Sequence, residues 1–360
     1  MANDHATRPS QRRAMATLET SMRDKSVHKA DDSWTRGGGT GFGAYNDHDE
    51  ELHPVHRDPH DSLTETWAYM FWMPKQRIGC MVYLWVHPNL KVLTGGLNVY
   101  QGHKPHHLTS EIFDIRVFNA ADPCIKARGR DIRVPNGMRV QILEPFKTIL
   151  VTYEDALRKN ALELTFSAAA PPMMRESRKH FDQIMDVKGS LCLRGRHYKV
   201  DCWGSRDRSW GEPRPENPYP IPPYTWMTGR FPSGLMWNAN GHDDPKRRPD
   251  WVKAYKVADR DVFKDGWVYR DGESCRIVEF SKITRRDRHT RQPLTHDIRF
   301  TDDRGRDYRI RGEVFASTFW GGWLNMNCYI CSTRWTFGKE IGYGDTQEVS
   351  WADYIRRFWS

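Results

Sequence analysis

The 360-residue chain is long enough for two domains or one large all-β unit, and although only 38% of it is hydrophobic, Trp 15, Tyr 14 and Phe 15 supply apolar surface chiefly as rings, which line pockets as readily as they fill cores. The net charge of +9 points toward nucleic acid only until its distribution is read: between Pro245 and Arg311, 19 Lys/Arg meet 12 Asp/Glu with the signs interspersed, the pattern of solvated hairpin loops, so no nucleic-acid partner is expected. The first 30 residues are polar and no run approaches 18 apolar residues, which excludes a signal peptide and a membrane-spanning helix and leaves a cytoplasmic protein as the expectation.

In chain order, residues 1–60 lack sustained periodicity and read as an irregular leader or strap, with Trp34 and Phe42 as its anchors and Gly37 to Gly43 as a glycine run. From Thr64 the texture changes to short apolar runs separated by turn residues: Thr66 to Met73, Gly79 to Val86, Leu97 to Tyr100, Ile112 to Phe118, Arg139 to Leu143, Thr148 to Tyr153 and Leu162 to Ser167. Met174 to Met185 fits either helix or strand, and Gly189 to Arg194 and His197 to Trp203 read as strands, with alternation ending at Gly204. The proline run between Glu212 and Pro223 is a loop, because proline offers no N–H to a ladder.

Strand texture resumes with Thr225 to Trp237, Trp251 to Ala258, Asp261 to Tyr269, Arg276 to Ile283, His296 to Thr301, Tyr308 to Phe315 and the clean alternation Tyr329, Cys331, Thr333, Trp335, Phe337. Asp345 to Trp359 reads as a short closing helix, capped by Asp345 or Thr346. Two blocks of six to eight strands split near the prolines are what paired antiparallel barrels give, so the expected fold is all-β with few helices, organised as 61–211 and 212–360 behind the leader.

No phosphate-cradling or dinucleotide-binding motif and no Gly-x-Ser-x-Gly elbow is present. Histidines cluster at His53, His56, His60 and at His103, His106, His107, but prolines interrupt both groups, and Cys328-x-x-Cys331 lacks a second pair, so neither a metal nor a cofactor is expected. Seven cysteines, an odd number in a long chain, read as reduced thiols. What remains is a set of ionisable groups in aromatic sequence. Glu65 lies beside Trp67, Tyr69 and Trp72; His180 and Asp182 share one segment; Asp207 and Arg208 precede Trp210; Tyr224 and Trp226 follow the proline loop. In Gly204-Ser-Arg-Asp-Arg-Ser-Trp-Gly211, Arg206, Asp207 and Arg208 suit a fork-to-carboxylate pair under an indole, either as a buried brace or as a preorganised polar site. An acid in an aromatic pocket has its pKa raised and can protonate an alkene, eliminate a hydroxyl as water or shift a double bond.

His180-Phe-Asp-Gln, Val187-Lys-Gly189 and Gly204 to Gly211 together resemble the central signature of the hydroxyneurosporene synthase, or carotenoid 1,2-hydratase-like, lipocalin superfamily, and Glu65-Thr-Trp67, Gly79 and Gly342-Tyr-Gly344 are similar to its outer landmarks. The resemblance spans about residues 60 to 350. It implies two consecutive lipocalin-like β-barrels holding a lipophilic ligand at or between them without a cofactor, in a superfamily that includes carotenoid hydratases and Diels-Alder cyclases. The family's Trp maps to Trp210 and its Asp to Asp207, but its His position is Arg208, which cannot titrate, and its later Tyr-x-Asp has no match near Trp237.

The resulting expectation is a cofactor-independent lyase or isomerase acting on a terpenoid, steroid or related alkene, with Asp207, Arg208, Asp182, His180 and Glu65 as catalytic candidates and Trp210, Trp67, Tyr69, Tyr224, Trp226 and Trp237 against the substrate. The alternatives are a non-catalytic lipophile carrier and a pericyclic cyclase that works by pocket contour alone; a homo-oligomer is left open.

Overall fold

The computed structural model describes residues 27–28, 45–53, 63–175, 177–213, 223–247, 262–321 and 326–351. The expected strands at Trp251 to Ala258, most of the proline run and most of the leader lie outside them. What is described is mostly strand, with 3-10 turns at Asp47–Glu50, Pro74–Gln76, His107–Thr109 and Ala127–Gly129 and an α-helical turn at Ala121–Cys124.

The first block forms β1 (Leu63–Met73), β2 (Ile78–His87), β3 (Val92–Gln101), β4 (Ile112–Ala120), β5 (Arg139–Glu144), β6 (Thr148–Asp155), β7 (Asn160–Ala168), β8 (His180–Leu193) and β9 (Arg196–Pro213). With three short strands at Ile125–Lys126, Asp131–Arg133 and Met173–Met174 they make one 12-stranded antiparallel sheet, ordered β4-β3-β2-β1-β9-β8-β7-β6-β5. The second block forms β10 (Tyr224–Arg230), β11 (Met236–His242), β12 (Phe263–Arg270), β13 (Glu273–Arg286), β14 (Pro293–Asp302), β15 (Asp307–Trp320), β16 (Met326–Phe337) and β17 (Glu340–Trp351). Each pairs with its neighbour in sequence and β17 returns to β10, which closes an eight-stranded barrel. The all-β expectation with few helices is met. The first unit, however, curls as an open half-barrel, and only the second closes.

Burial explains which runs look alternating. In β6 and β7 buried and solvent-facing residues alternate, because one face meets water. β1 is buried at every position after Leu63, so it reads as a continuous apolar run. Its odd positions, Trp67, Tyr69, Phe71 and Met73, enter the core on the concave face of the sheet, whereas Ala68, Met70 and Trp72 point the other way into a second cluster with Trp320, Ile330 and Val349 of the barrel. That second cluster is the seam between sheet and barrel.

Three expectations are corrected. Alternation does not end a strand at Gly204: β9 runs to Pro213, and the glycine is there because a Cβ would collide with the Met70 carbonyl oxygen and lie 2.6 Å from Val187 Cγ2. Thr225 to Trp237 is two strands joined by a turn in which Phe231 N–H donates to the Leu235 carbonyl at 2.8 Å. The closing helix from Asp345 is strand as far as Trp351, and residues 352–360 lie outside the described set. Met174 to Met185, left between helix and strand, resolves as strand at Met173–Met174 and from His180 onward. All seven cysteines are free thiols. Among the described residues no helix is long and apolar enough to cross a membrane.

Candidate functional site

Side chains of an extended strand alternate between faces, and β9 uses this to split the sequence signature in two. Arg206, Arg208 and Trp210 face the concave side of the sheet, and Ser205 and Asp207 face the barrel. The expected Arg206-Asp207-Arg208 fork does not form.

On the concave side, Arg206 binds Glu50 with both terminal nitrogens, at 2.7 and 3.0 Å, and donates through Nε to Gln183 Oε1 at 2.7 Å. Arg208 Nη2 donates to Glu65 Oε2 and to the Glu51 carbonyl, each at 2.6 Å, while its guanidinium lies 3.8 Å over the Trp67 ring. His53 donates its backbone N–H to Glu65 Oε1 at 2.8 Å and stacks face to face on Trp210, with centroids 4.4 Å apart. Burial works against the Glu65 carboxylate, yet Arg208 and His53 outweigh it and hold the group below the usual carboxylate range. Both arginines are 2% exposed or less and each is ion-paired with a carboxylate in a packed interior, which is the geometry of a brace. Glu65, Arg208, Trp67, Tyr69 and Trp210 belong to this face. Of the His53, His56, His60 group, His53 serves the brace and the other two lie outside the described residues.

On the barrel side, cross-strand pairing sets Asp182 of β8 directly opposite Asp207 of β9. Two carboxylates so placed repel unless cations intervene. His180, two residues before Asp182 and on the same face, puts Nε2 2.6 Å from Asp207 Oδ2 and 3.7 Å from Asp182 Oδ1. Arg175 reaches Asp182 at 3.3 Å and Asp265 at 2.8 Å. Burial and Arg175 oppose a charged imidazole, but Asp207 and Asp182 prevail and hold the His180 pKa up to about 9. Burial likewise opposes the Asp182 charge, and Arg175 and His180 overcome it, bringing that carboxyl down to about 2. The donor atoms of His180, Asp182 and Asp207 lie within 4.8 Å of one another, close enough to hold a metal ion. Here the imidazolium and the Arg175 guanidinium already neutralise the two carboxylates, so an ion would have to displace His180 from Asp207 to bind.

Facing this group across the seam is Asp345 of β17, 3% exposed. It accepts hydrogen bonds from Ser205 Oγ at 2.9 Å, from Gln347 Nε2 at 3.2 Å and from the Thr228 hydroxyl. All three donors are neutral, and Asp345 forms no ion pair with any described residue. Burial, with the Asp182 charge adding to it, outweighs the hydrogen bonds and raises its pKa above the ordinary value. Asp345 is thus a buried carboxyl driven toward its neutral form, near a His180 held toward its charged form. Sequence reading placed it at a helix cap; the period-two set Tyr343, Asp345, Gln347 on a strand face was the signal that could have found it.

Ala68, Tyr83, Asn238 and the Trp226 indole complete the walls of this inner cleft, which has about 50 Å³ of free space, room for a few waters. The Trp226 indole N–H has no hydrogen-bond partner among the described residues. Tyr224 packs edge-on against Trp226 at 4.5 Å, one layer back. Trp237 fills the barrel core against Trp335 and Phe300 and does not reach the cleft. Of the residues expected at one site, the fold therefore gathers His180, Asp182, Asp207 and Trp226, with Tyr224 behind them.

Along the same seam, past the Ser205–Asp345 hydrogen bond, a wider outer cleft of about 460 Å³ opens to the surface, walled by Trp72, Trp203 and Tyr343.

Among solved structures the fold is similar to that of a protein assigned as AttH from Nitrosomonas europaea, with a TM-score of 0.59 and 11% identity over 82% of this chain and 98% of that one. It is also similar to kievitone hydratase from Nectria haematococca, with a TM-score of 0.53 and 14% identity over 91% of this chain and 99% of that one. At these identities the likeness speaks for the fold alone. No curated protein matches the chain by sequence. The family model for a domain of unknown function, DUF7064, matches residues 46–353.

Proposed function

Because this chain belongs to the DUF7064 family, whose description leaves the chemistry open, we propose from its geometry that it is a cofactor-independent hydro-lyase or isomerase acting on a hydrophobic alkene of terpenoid, steroid or related type. The observation that carries the reading is Asp345: a buried carboxyl, free of any ion pair and kept toward its neutral form, across a narrow polar cleft from the His180–Asp207 pair. The similarity in fold to a kievitone hydratase supports the reaction class.

The inner cleft is too small for such a substrate, so the substrate body lies in the outer cleft and presents its double bond at Asp345. In the hydration direction the Asp345 O–H bond breaks as a C–H bond forms on the alkene, and the cation develops at the adjacent carbon. A water in the inner cleft adds its oxygen there, and the proton it sheds returns to the Asp345 carboxylate. His180 and Asp207 orient that water, with Asp207 and Asp182 holding His180 in its charged form. Loss of the C–H proton to Asp345 instead of water addition gives a double-bond shift. The face of the Trp226 ring lends its negative quadrupole to the developing cation.

The test is to recover the ligand that copurifies from the native host, identify it by native mass spectrometry and incubate it with protein in deuterated water. Deuterium entering a carbon position with the wild type, and a loss of at least a hundredfold in that rate in Asp345→Asn with an unchanged thermal melt, is the expected result. Exchange that survives Asp345→Asn removes Asp345 as the acid, and a wild type that binds the ligand without exchange is a carrier if it leaves the ligand unchanged and a pericyclic cyclase if it converts it.

A further inference from the structure

The outer cleft is a continuation of the catalytic seam. Strand pairing puts Asp207 opposite Ala68, Ser205 opposite Met70 and Trp203 opposite Trp72, and on β17 Gln347, Asp345 and Tyr343 step along in the same period of two. Two residues of strand advance roughly 6.7 Å. The Trp203–Trp72–Tyr343 layer thus lies about 7 Å beyond the Ser205–Asp345 layer and about 13 Å beyond Asp207.

Its chemistry differs from that of the inner cleft. Trp203 and Tyr343 form a continuous aromatic wall, with centroids 6.5 Å apart, and Phe315 extends it edge-on from Tyr343 at 6.1 Å. Trp72, 1% exposed, forms part of the lining, and its indole N–H has no hydrogen-bond partner among the described residues. A buried donor left unpaired is costly unless something supplies an acceptor. At the rim stand Lys75 and Lys199, both exposed and neither paired with a described carboxylate, against the single acid Asp201, so the rim carries one net positive charge. Aromatic walls, a buried donor and a basic rim are the complement of a long apolar molecule that ends in an anion.

We propose that the outer cleft is a binding site for an elongated, ring- or polyene-bearing carboxylate, its body against Trp203 and Tyr343, an oxygen on the Trp72 indole N–H and its carboxylate between Lys75 and Lys199. The placement of the ligand's inner end at Asp345 rests on the acid–base reading above; the lysine-dependent recognition of the anion does not.

All-trans-retinoic acid and all-trans-retinol share a carbon skeleton and differ in the terminal group, which makes them a matched pair of probes for equilibrium dialysis with the full chain. The wild type should bind retinoate at least tenfold more tightly than retinol. In the Lys75→Glu/Lys199→Glu double variant retinoate affinity should fall at least tenfold while retinol stays within twofold, and Trp203→Ala should weaken both at least fivefold. Circular dichroism melts check that each variant is folded; Lys75→Gln/Lys199→Gln replaces a charge-reversed variant that is not, with the same expected loss of preference. Equal affinity of the wild type for the two probes, or a preference that persists without the lysines, overturns the proposal. Asp345→Asn separates the two readings: retinoate binding within twofold of wild type together with lost deuterium exchange is expected. Lysine-dependent binding with exchange intact leaves the outer site standing and removes only Asp345 as the acid.

Discussion

At the scale of residues, one strand carries two unlike groups of charges because its side chains alternate. Arg206 and Arg208 each find a buried carboxylate and a ring face on the concave side of the sheet. Asp207 and Asp182 share one histidine, and Asp345 has none. This predicts a pH signature of stability. The His180 proton is held up to about 9 in the fold against an ordinary 6.5, so the stabilisation it brings is fully present below pH 6.5 and is lost as pH rises through about 9. Asp182 acts in the opposite window, its contribution present above 3.8 and lost as pH falls through about 2. Urea unfolding from pH 6 to 10 should therefore show a decline in stability between about 6.5 and 9 that His180→Gln abolishes; a decline of the same size in the variant would mean that another group causes it.

At the scale of elements, the long central strands act as partitions, and close approach between them sets where the polar groups meet. Gly204 lets β9 lie against β1 and β8 beside Ser205, whose hydroxyl ties the sheet to Asp345. Gly204→Ala pushes a methyl into the Met70 carbonyl oxygen and Val187, an overpacking that should cost about 1–3 kcal/mol. Differential scanning calorimetry checks this, and an unchanged melting temperature would mean that β9 has slack there. The barrel carries its own buried ionic element: Lys282, wholly buried, reaches Asp243 at 2.7 Å, and Arg286 bridges Asp243 and Glu348 at 2.8 and 2.6 Å. Removing one partner strands a buried charge, so Lys282→Met should destabilise the protein by about 3–5 kcal/mol. Chemical denaturation measures it, and a loss below about 1 kcal/mol, the worth of an exposed pair, would show that this network is not dry.

At the scale of the molecule, the half-barrel and the closed barrel share the apolar seam of Met70, Trp72, Tyr83, Trp320 and Ile330, and the candidate site lies in that seam, inside neither unit. The barrel core is filled by Trp237, Trp335, Phe300 and Tyr308, so the candidate clefts lie at the junction and not in the barrel interior. A shared core should also make unfolding cooperative across both units. Tryptophan fluorescence and far-ultraviolet circular dichroism are expected to trace one coincident urea transition, and two separated transitions would show the seam to be too weak to couple them.

Much of this was legible in the sequence, and the limit has one cause. Short apolar runs between turn residues establish an antiparallel all-β protein, since period two and proline position are local properties, and His180-x-Asp182 and Asp207 stand out because charges in apolar strands demand partners. Which face each charge takes, and what waits on it, is a matter of pairing between strands distant in the chain. Arg208 and Trp210 read as site residues and lie on the concave face, away from the inner cleft. Trp237 reads as pocket and is core. Asp345 reads as a helix cap and becomes the buried acid, because only the closure of β17 onto β10 and the packing of the barrel on the sheet carry it out of water and against Ser205.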